Sequence, residues 1–377
     1  MKKIGVITYH ASHNIGSMLQ TYALQYVIKN RYSCDVEIIN FSSLKQKNMY
    51  AMFPQVDGFN TLVKNGLNII FYKVIKSRFD EFENFIKNYF NVTSKSYNDI
   101  EQMADLEGAY DAIICGSDQI WNVNCTDFDD AYFIPFVKNL NKISYAPSLG
   151  GKNIIKSGVD LDKYKRYLSD FKHLSVREVN GKKWLDSLTG RDFEIVADPT
   201  ILVDVDEWDS IALPREFDGD YIFFYGVPFS PNTYDVAIEI SKKLGMPVIM
   251  LDAKSWIYKF NFVKGIKLSK FGGPESYLSL IKHSKLVITT SFHGSIFASV
   301  FRKNFWTVTY KETNKDDDRI KTLLSQLEFS DRLIYLEDYE NYDLLEDINY
   351  GDYDENIKRF RDTSFSFLDK AVLDRCK

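Results

Sequence analysis

Short runs of branched and aromatic residues recur along the chain and alternate with stretches whose apolar positions return every three or four residues. Residues 4–8 form the first run. After a loop containing Asn14 and Gly16, Leu19, Ala23, Tyr26 and Val27 fall on one helical face. Residues 36–41 read as the second strand, and 112–115, 143–146, 174–176 and 194–197 continue the series. Helical stretches separate most of these runs, which predicts a parallel sheet with helices on both faces. From 204 to 219 the periodicity weakens around Pro214 and a group of acids. The rhythm then restarts: strands at 221–225 and 248–251, helices near 234–244 and 275–283, strands at 286–288 and 304–309. The expected architecture is α/β, with one doubly wound domain over 1–205, a second over 220–355, and a last helix within 356–377 leaning back on the first. Ligands of such a pair bind in the cleft at the carboxyl ends of the strands.

Length supports two cores, since 377 residues exceed what one usually serves. The composition, 45% hydrophobic and 26% charged, is that of an ordinary globular protein. A formal net charge of −5 leaves no excess of cations to neutralise phosphates, so no nucleic-acid partner is expected. The opening MKKIGVITYH lacks the apolar run of a signal peptide. No stretch approaches the ~20 apolar residues of a membrane span. Cys34, Cys115, Cys125 and Cys376 are scattered, without metal-ligand spacing. A cytoplasmic location with reduced thiols is the expectation.

Chemistry-bearing residues gather where strands end. In "TTSFHGSIFASVF" (289–301) a buried strand gives way to helical spacing, so His293 stands beside a turn whose N–H groups and helix dipole suit an anion. The loop in "HNIGSMLQTYALQ" (13–25) lets the backbone approach a ligand at Gly16, or is simply a tight connection. Gly116, Ser117 and Asp118 follow the strand of "DAIICGSDQIWN"; a ligand turn and a helix cap are both open readings. Arg177, in "KHLSVREVNGKKWL", directly follows a strand and suits a carboxylate or phosphate, although an ion pair with Glu178 is the commoner fate.

Taken in order, "NIGSMLQTYALQ", "YDAIICGSDQIWN", "YLSDFKHLSVRE", "VADPTILV", "TTSFHGSIFASVF" and "DDDRIKTLLSQLEFSDR" closely resemble the polysaccharide pyruvyl transferase family over nearly the whole chain. The resemblance implies two Rossmann-like domains facing a central cleft, as in GT-B glycosyltransferases. It implies transfer of the enolpyruvyl part of phosphoenolpyruvate to two hydroxyls of a cell-surface saccharide, giving a cyclic pyruvate ketal and phosphate. The family's His-Gly matches His293 and Gly294, its SVRE arginine Arg177, its GSD turn Gly116, Ser117 and Asp118, and its first-loop motif Asn14 and Gly16. On that basis His293 and Arg177 are the expected catalytic residues.

One departure stands out. Related members carry Arg-Leu before His-Gly, where this chain has Ser291 and Phe292. Charge for the donor must then come from elsewhere, with Lys311 and Arg319 as candidates; a solvated charge run is the plainer reading of "KETNKDDDR". Asn14, Gly16, the 116–118 turn, Ser291, Gly294 and Ser295 complete the expected substrate contacts, the last two cradling phosphate. Neither metal nor cofactor is expected, phosphoenolpyruvate serving as donor substrate. Two alternatives remain on the same fold: a nucleotide-sugar glycosyltransferase, and a non-catalytic saccharide-binding protein. Between 44 and 78 six basic residues (Lys45, Lys47, Lys64, Lys73, Lys76, Arg78) face one acid, Asp57, interleaved with apolar residues. Such a segment suits peripheral contact with an anionic membrane carrying a lipid-linked acceptor; a core helix with a solvated face is the competing reading.

Overall fold

The computed structural model describes residues 1–226, 233–311 and 316–373. Two parallel sheets organise them. The first comprises β1 (Lys3–Ile7), β2 (Asp35–Ile38), β3 (Ala112–Cys115), β4 (Asn141–Ser144) and β5 (Phe171–His173), in the order β2-β1-β3-β4-β5. A two-stranded ribbon follows, β6 (Ser175–Val176) beside β7 (Glu194–Ile195). The second sheet holds β8 (Ile222–Tyr225), β9 (Val248–Met250), β10 (Lys267–Leu268), β11 (Leu286–Thr289), β12 (Asn304–Thr309) and β13 (Leu333–Tyr335), ordered β10-β9-β8-β11-β12-β13.

The central strands β1, β3, β8 and β11 are buried almost throughout, as continuous apolar runs covered on both faces must be. Strand order turns about β1 and β3 in the first sheet and about β8 and β11 in the second. Loops leaving the carboxyl ends of those strands therefore flank a crevice in each half.

One hydrophobic core runs through both halves. It joins Leu19 and Ala23 of the helix Ile15–Tyr32 to Trp208, to Phe297 of the helix Phe292–Val300, and to Phe367 of the helix Tyr353–Leu373. The weakly periodic segment after 204 contributes a helix, Val205–Ile211. Its Trp208 is fully buried between Tyr22, with ring centroids 5.7 Å apart, and Phe297, at 5.0 Å. It is a packed wedge between the halves.

The helix Tyr353–Leu373 crosses from one half to the other. Near its start Tyr353 donates to Ser299 Oγ (3.2 Å) and stacks on Phe329. Farther along, Arg361 donates to Val203 O (2.8 Å), Ser364 Oγ accepts from Ala197 N (2.9 Å), and Val372 O accepts from Lys2 Nζ (2.7 Å). No helix among the described residues is long and apolar enough to cross a membrane.

Candidate active site

Turns at the carboxyl ends of β1, β3, β6, β7 and β11 converge where the two halves touch, and Asp198, after β7, meets residues from those after β3, β6 and β11. It caps the short helix Pro199–Leu202, whose leading proline has no N–H to satisfy. Asp198 Oδ1 accepts from Thr200 N (3.1 Å) and Thr200 Oγ1 (2.7 Å). Its Oδ2 accepts from Arg177 Nη1 (2.8 Å) and Ser117 Oγ (3.1 Å), and His293 Nε2 lies 3.6 Å away. Burial pushes this carboxyl up, but His293, Arg177 and Thr200 outweigh burial and hold it well below the usual carboxylate range.

His293 owes its position to the turn after β11. Ser291 caps the helix Phe292–Val300, its Oγ accepting from Gly294 N (3.3 Å). A Cβ on Gly294 would fall 2.0 Å from Thr289 Oγ1, so glycine is what lets this helix fold back over the strand end. Ser295 Oγ meets Thr307 Oγ1 at 2.7 Å and ties the helix to β12. The Ser295 hydroxyl, in the turn expected to cradle phosphate, thus faces the sheet. One face of the imidazole is closed by the first helix, because a Cβ on Gly16 would fall 2.1 Å from His293 Nδ1. Gly16 makes room for His293, and Asn14 caps the same helix by accepting from Ser17 N (3.3 Å). The 3.6 Å to Asp198 exceeds a hydrogen bond, so buried Nε2 has no hydrogen-bond partner among the described residues. An imidazole nitrogen left without a hydrogen-bond partner beside a carboxylate is equipped to exchange a proton.

Arg177 is buried in an ion-pair cluster. Besides Asp198 it donates from Nε to Glu178 Oε1 (3.2 Å), and its guanidinium lies 3.9 Å from the ring centroid of Phe292. Burial pulls its pKa down, but Glu178 and Asp198 more than reverse this and keep it protonated. Glu178 moves the opposite way from Asp198. Burial pushes its carboxyl above the ordinary range, only partly opposed by Arg177, Ser148 and Arg319. Its Oε2 is buried without a hydrogen-bond partner among the described residues.

The 116–118 turn is fully engaged. Gly116 has φ +125, and a Cβ there would fall 1.9 Å from Tyr145 O. Ser117 N donates to Gln20 Oε1 (2.9 Å), and Asp118, at φ +70, accepts from Ser17 Oγ (2.5 Å) and Gln119 N (2.7 Å).

The two cations proposed as substitutes for the missing arginine diverge. Lys311 pairs with Asp338 at 2.7 Å on an exposed segment. Arg319 is fork-bonded to Asp317 (2.8 and 2.6 Å) and lies close enough to Glu178 and Asp118 for its charge to act on them. Its segment docks on the first half: Asp318 Oδ2 accepts from Asn180 N (3.0 Å), and a Cβ on Gly151 would meet Asp317 at 2.5 Å. Among the described residues no three His, Cys, Asp or Glu side chains are grouped as metal ligands.

Asp198 and Glu178 were not among the expected site residues. The sequence signal for Asp198 was Asp-Pro after a strand, which marks a helix start wherever it occurs. Glu178 showed only as a neighbour of Arg177.

Solved structures share the architecture. A Listeria monocytogenes protein described as a UDP-N-acetylglucosamine 2-epimerase is 12% identical with a TM-score of 0.54, covering 99% of this chain and 97% of its own. A UDP-GlcNAc 2-epimerase from Neisseria meningitidis, bound to UDP-GlcNAc, is 9% identical with a TM-score of 0.51, covering 99% and 100%. UGT89C1 of Arabidopsis thaliana is 10% identical with a TM-score of 0.50, covering 99% and 98%. At such identities the likeness shows the fold, two Rossmann-like domains facing a central cleft as in GT-B glycosyltransferases. A search of curated proteins finds no match. A family model described as polysaccharide pyruvyl transferase matches residues 14–312, from the loop before the first helix, through the Asp198, Arg177 and His293 turns, to the segment after β12; the chain belongs to that family.

Proposed function

We propose that this transferase moves the pyruvyl group of phosphoenolpyruvate onto two hydroxyls of a saccharide, forming a cyclic ketal and releasing phosphate. The observation that carries the reading is the meeting of His293, whose Nε2 has no hydrogen-bond partner among the described residues, with the Asp198 carboxyl and the Arg177 guanidinium between the two halves. The donor's methylene carbon takes a proton and becomes a methyl group, while one sugar hydroxyl bonds to the neighbouring carbon and gives up its proton. The bond to the phosphate oxygen then breaks, and the second hydroxyl bonds to the same carbon. One of the two hydroxyl protons replaces the proton first donated, and the other leaves with phosphate. His293 is assigned the proton steps. Asp198 places a carboxylate 3.6 Å from the ring, and Arg177 with Arg319 supplies positive charge toward the donor's carboxylate and phosphate. No step calls on a metal or cofactor.

The competing reading is a nucleotide-sugar glycosyltransferase, favoured by the fold's likeness to an epimerase bound to UDP-GlcNAc. A thermal-shift comparison of phosphoenolpyruvate with UDP-GlcNAc separates the two. A ligand at 100 times its Kd stabilises the fold by about 2.7 kcal/mol. Stabilisation by phosphoenolpyruvate, followed by acceptor-dependent phosphate release and a ketal methyl signal by NMR, is the expected result. Stabilisation by UDP-GlcNAc alone refutes it. A saccharide that binds without any phosphate release leaves the binding-protein reading.

A further inference from the structure

An exposed apolar face lies outside this site, on the segment after β2. The chain there forms the helices Leu44–Tyr50 and Phe59–Ile70 and then enters Tyr72–Tyr89. A helix on a globular surface turns its apolar stripe inward. Phe59–Ile70 does the reverse. Phe59 is 78% exposed, Ile69 66% and Ile70 74%, and Leu62 and Val63 are exposed as well. Its one fully buried residue is Asn68, which donates to Met52 O (2.9 Å) and accepts from Tyr258 OH (2.7 Å).

Both halves build this face. Phe260, Phe262 and Val263, after the helix Ala253–Tyr258, are also exposed, and Phe262 lies against Phe71 with ring centroids 6.2 Å apart. Phe53 stacks with Tyr72 at 6.5 Å. Lysines border it: Lys64, whose Nζ lies 5.8 Å from the Tyr258 ring, with Lys73 and Lys259. None of these three makes an ion pair among the described residues. Residues 57–80 and 252–275 together carry nine Lys and Arg against four carboxylates, Asp57, Asp80, Asp252 and Glu275, on a chain of net charge −5.

An occupant must be apolar, extended and negatively charged at its surface. A second copy of this chain fits badly, because a two-fold contact sets these lysines against their own counterparts. A lipid bilayer with anionic headgroups meets all three requirements, the rings and branched side chains entering the headgroup boundary while the lysines stay beside the phosphates. We infer that the protein docks on an anionic bilayer through this face, with both halves in contact. Docking itself needs no assumption about the reaction; what it delivers rests on the saccharide-acceptor reading, and is a lipid-linked acceptor. The helix Tyr72–Tyr89 leads from the face to the site. Phe79 and Phe82 pack on His13 with ring centroids 4.5 and 5.0 Å away, next to Asn14. Tyr72 to Phe82 is about 15 Å along the helix.

Flotation of the full chain with vesicles tests this. Equal parts of phosphatidylglycerol and phosphatidylcholine should capture the protein at least about tenfold better than phosphatidylcholine alone, and capture should fade between about 0.05 and about 0.5 M salt. Replacing Lys64, Lys73 and Lys259 by Gln should weaken binding about 100-fold, each lysine contributing about fivefold. Ile69→Ser with Ile70→Ser should abolish binding, and Phe262→Ser with Val263→Ser should reduce it at least about fivefold. All these side chains are exposed, so thermal unfolding should match the parent protein. Failure to bind anionic vesicles at low salt, or equal binding to neutral ones, overturns the inference. So does a dimer that Ile70→Ser dissociates. Unchanged binding by the Phe262 and Val263 variant overturns contact through both halves. Flotation requires no substrate, so a failure of the proposed donor chemistry leaves its outcome unaffected and the two failures are distinguishable.

Discussion

Replacing Gly16 by Ala adds one methyl group where the first helix lies against the imidazole of His293. The new Cβ would stand 2.1 Å from Nδ1, whereas ordinary contacts begin at 3.4 Å, so helix and ring must separate by roughly 1.3 Å. Helix propensity alone favours alanine by about 1 kcal/mol. Overpacking of a filled site costs about 1–3 kcal/mol. The two nearly offset, so stability should stay level or fall by up to about 2 kcal/mol. Turnover should respond far more, because a displacement of about 1 Å at a reacting group is worth on the order of 100-fold. Gly66→Ala is the matched control, since a Cβ there meets nothing within 4 Å and only the propensity gain of up to about 1 kcal/mol applies. The assays are thermal unfolding, phosphoenolpyruvate-dependent phosphate release, and the pH titration of the His293 ring resonance. That resonance is one of five histidines and is identified by its loss in His293→Gln. If Gly16→Ala stabilises as Gly66→Ala does, keeps parental turnover and leaves the resonance unmoved, the reasoning fails.

Three further outcomes follow from the same cluster. His293→Ala should lower turnover by a factor on the order of 100 to 10,000 with the fold intact; parental turnover would remove His293 from the proton steps. Arg177→Lys keeps the charge but cannot reach Glu178 and Asp198 with one planar fork, so donor affinity should fall, acceptor affinity should hold, and the unfolding temperature should drop; an acceptor-only defect would refute the assignment. Glu178, with its folded pKa above the unfolded value, binds its proton more tightly when folded. Its contribution to stability is therefore fully present below pH ~4.3 and is lost as pH rises through the elevated folded pKa. Thermal unfolding against pH should show this decline in the parent protein and a flatter profile in Glu178→Gln; parallel profiles would contradict it.

Legibility in the sequence followed burial. β3 and β12 read out with their observed bounds, since a central strand must be apolar wherever it is covered. β5 and β10 did not: Phe171-Lys172-His173 and Lys267-Leu268 are edge strands of three and two residues with exposed lysines, too short to leave a period to detect. β13, a three-residue edge strand, was missed as well. At the site, single-element features were visible, such as a glycine after a strand or a histidine in a turn. What they touch was not. Gly16 read either as an opening for a ligand or as a tight connection, and neither reading named the side chain it lies against, 277 positions away. Asp198 became central only because β6, β7 and β11 aim their ends at one point. The 44–78 segment showed its charge and apolarity in sequence, but which way its helices turn is a property of the packed molecule.

Ala197, which immediately precedes Asp198, gives its N–H to Ser364, and Arg361 bonds Ile201 O and Val203 O on the other side of the same turn. The backbone that aims the central carboxylate is thus buttressed by residues that leave the ribosome after both sheets. A nascent chain with both sheets complete still has this turn unsupported, its amide and carbonyls open to water. The turn that aligns Asp198 with Arg177 and His293 thus gains its outer support only when the helix Tyr353–Leu373 packs on it, so completion of the site waits on a segment that follows both sheets along the chain.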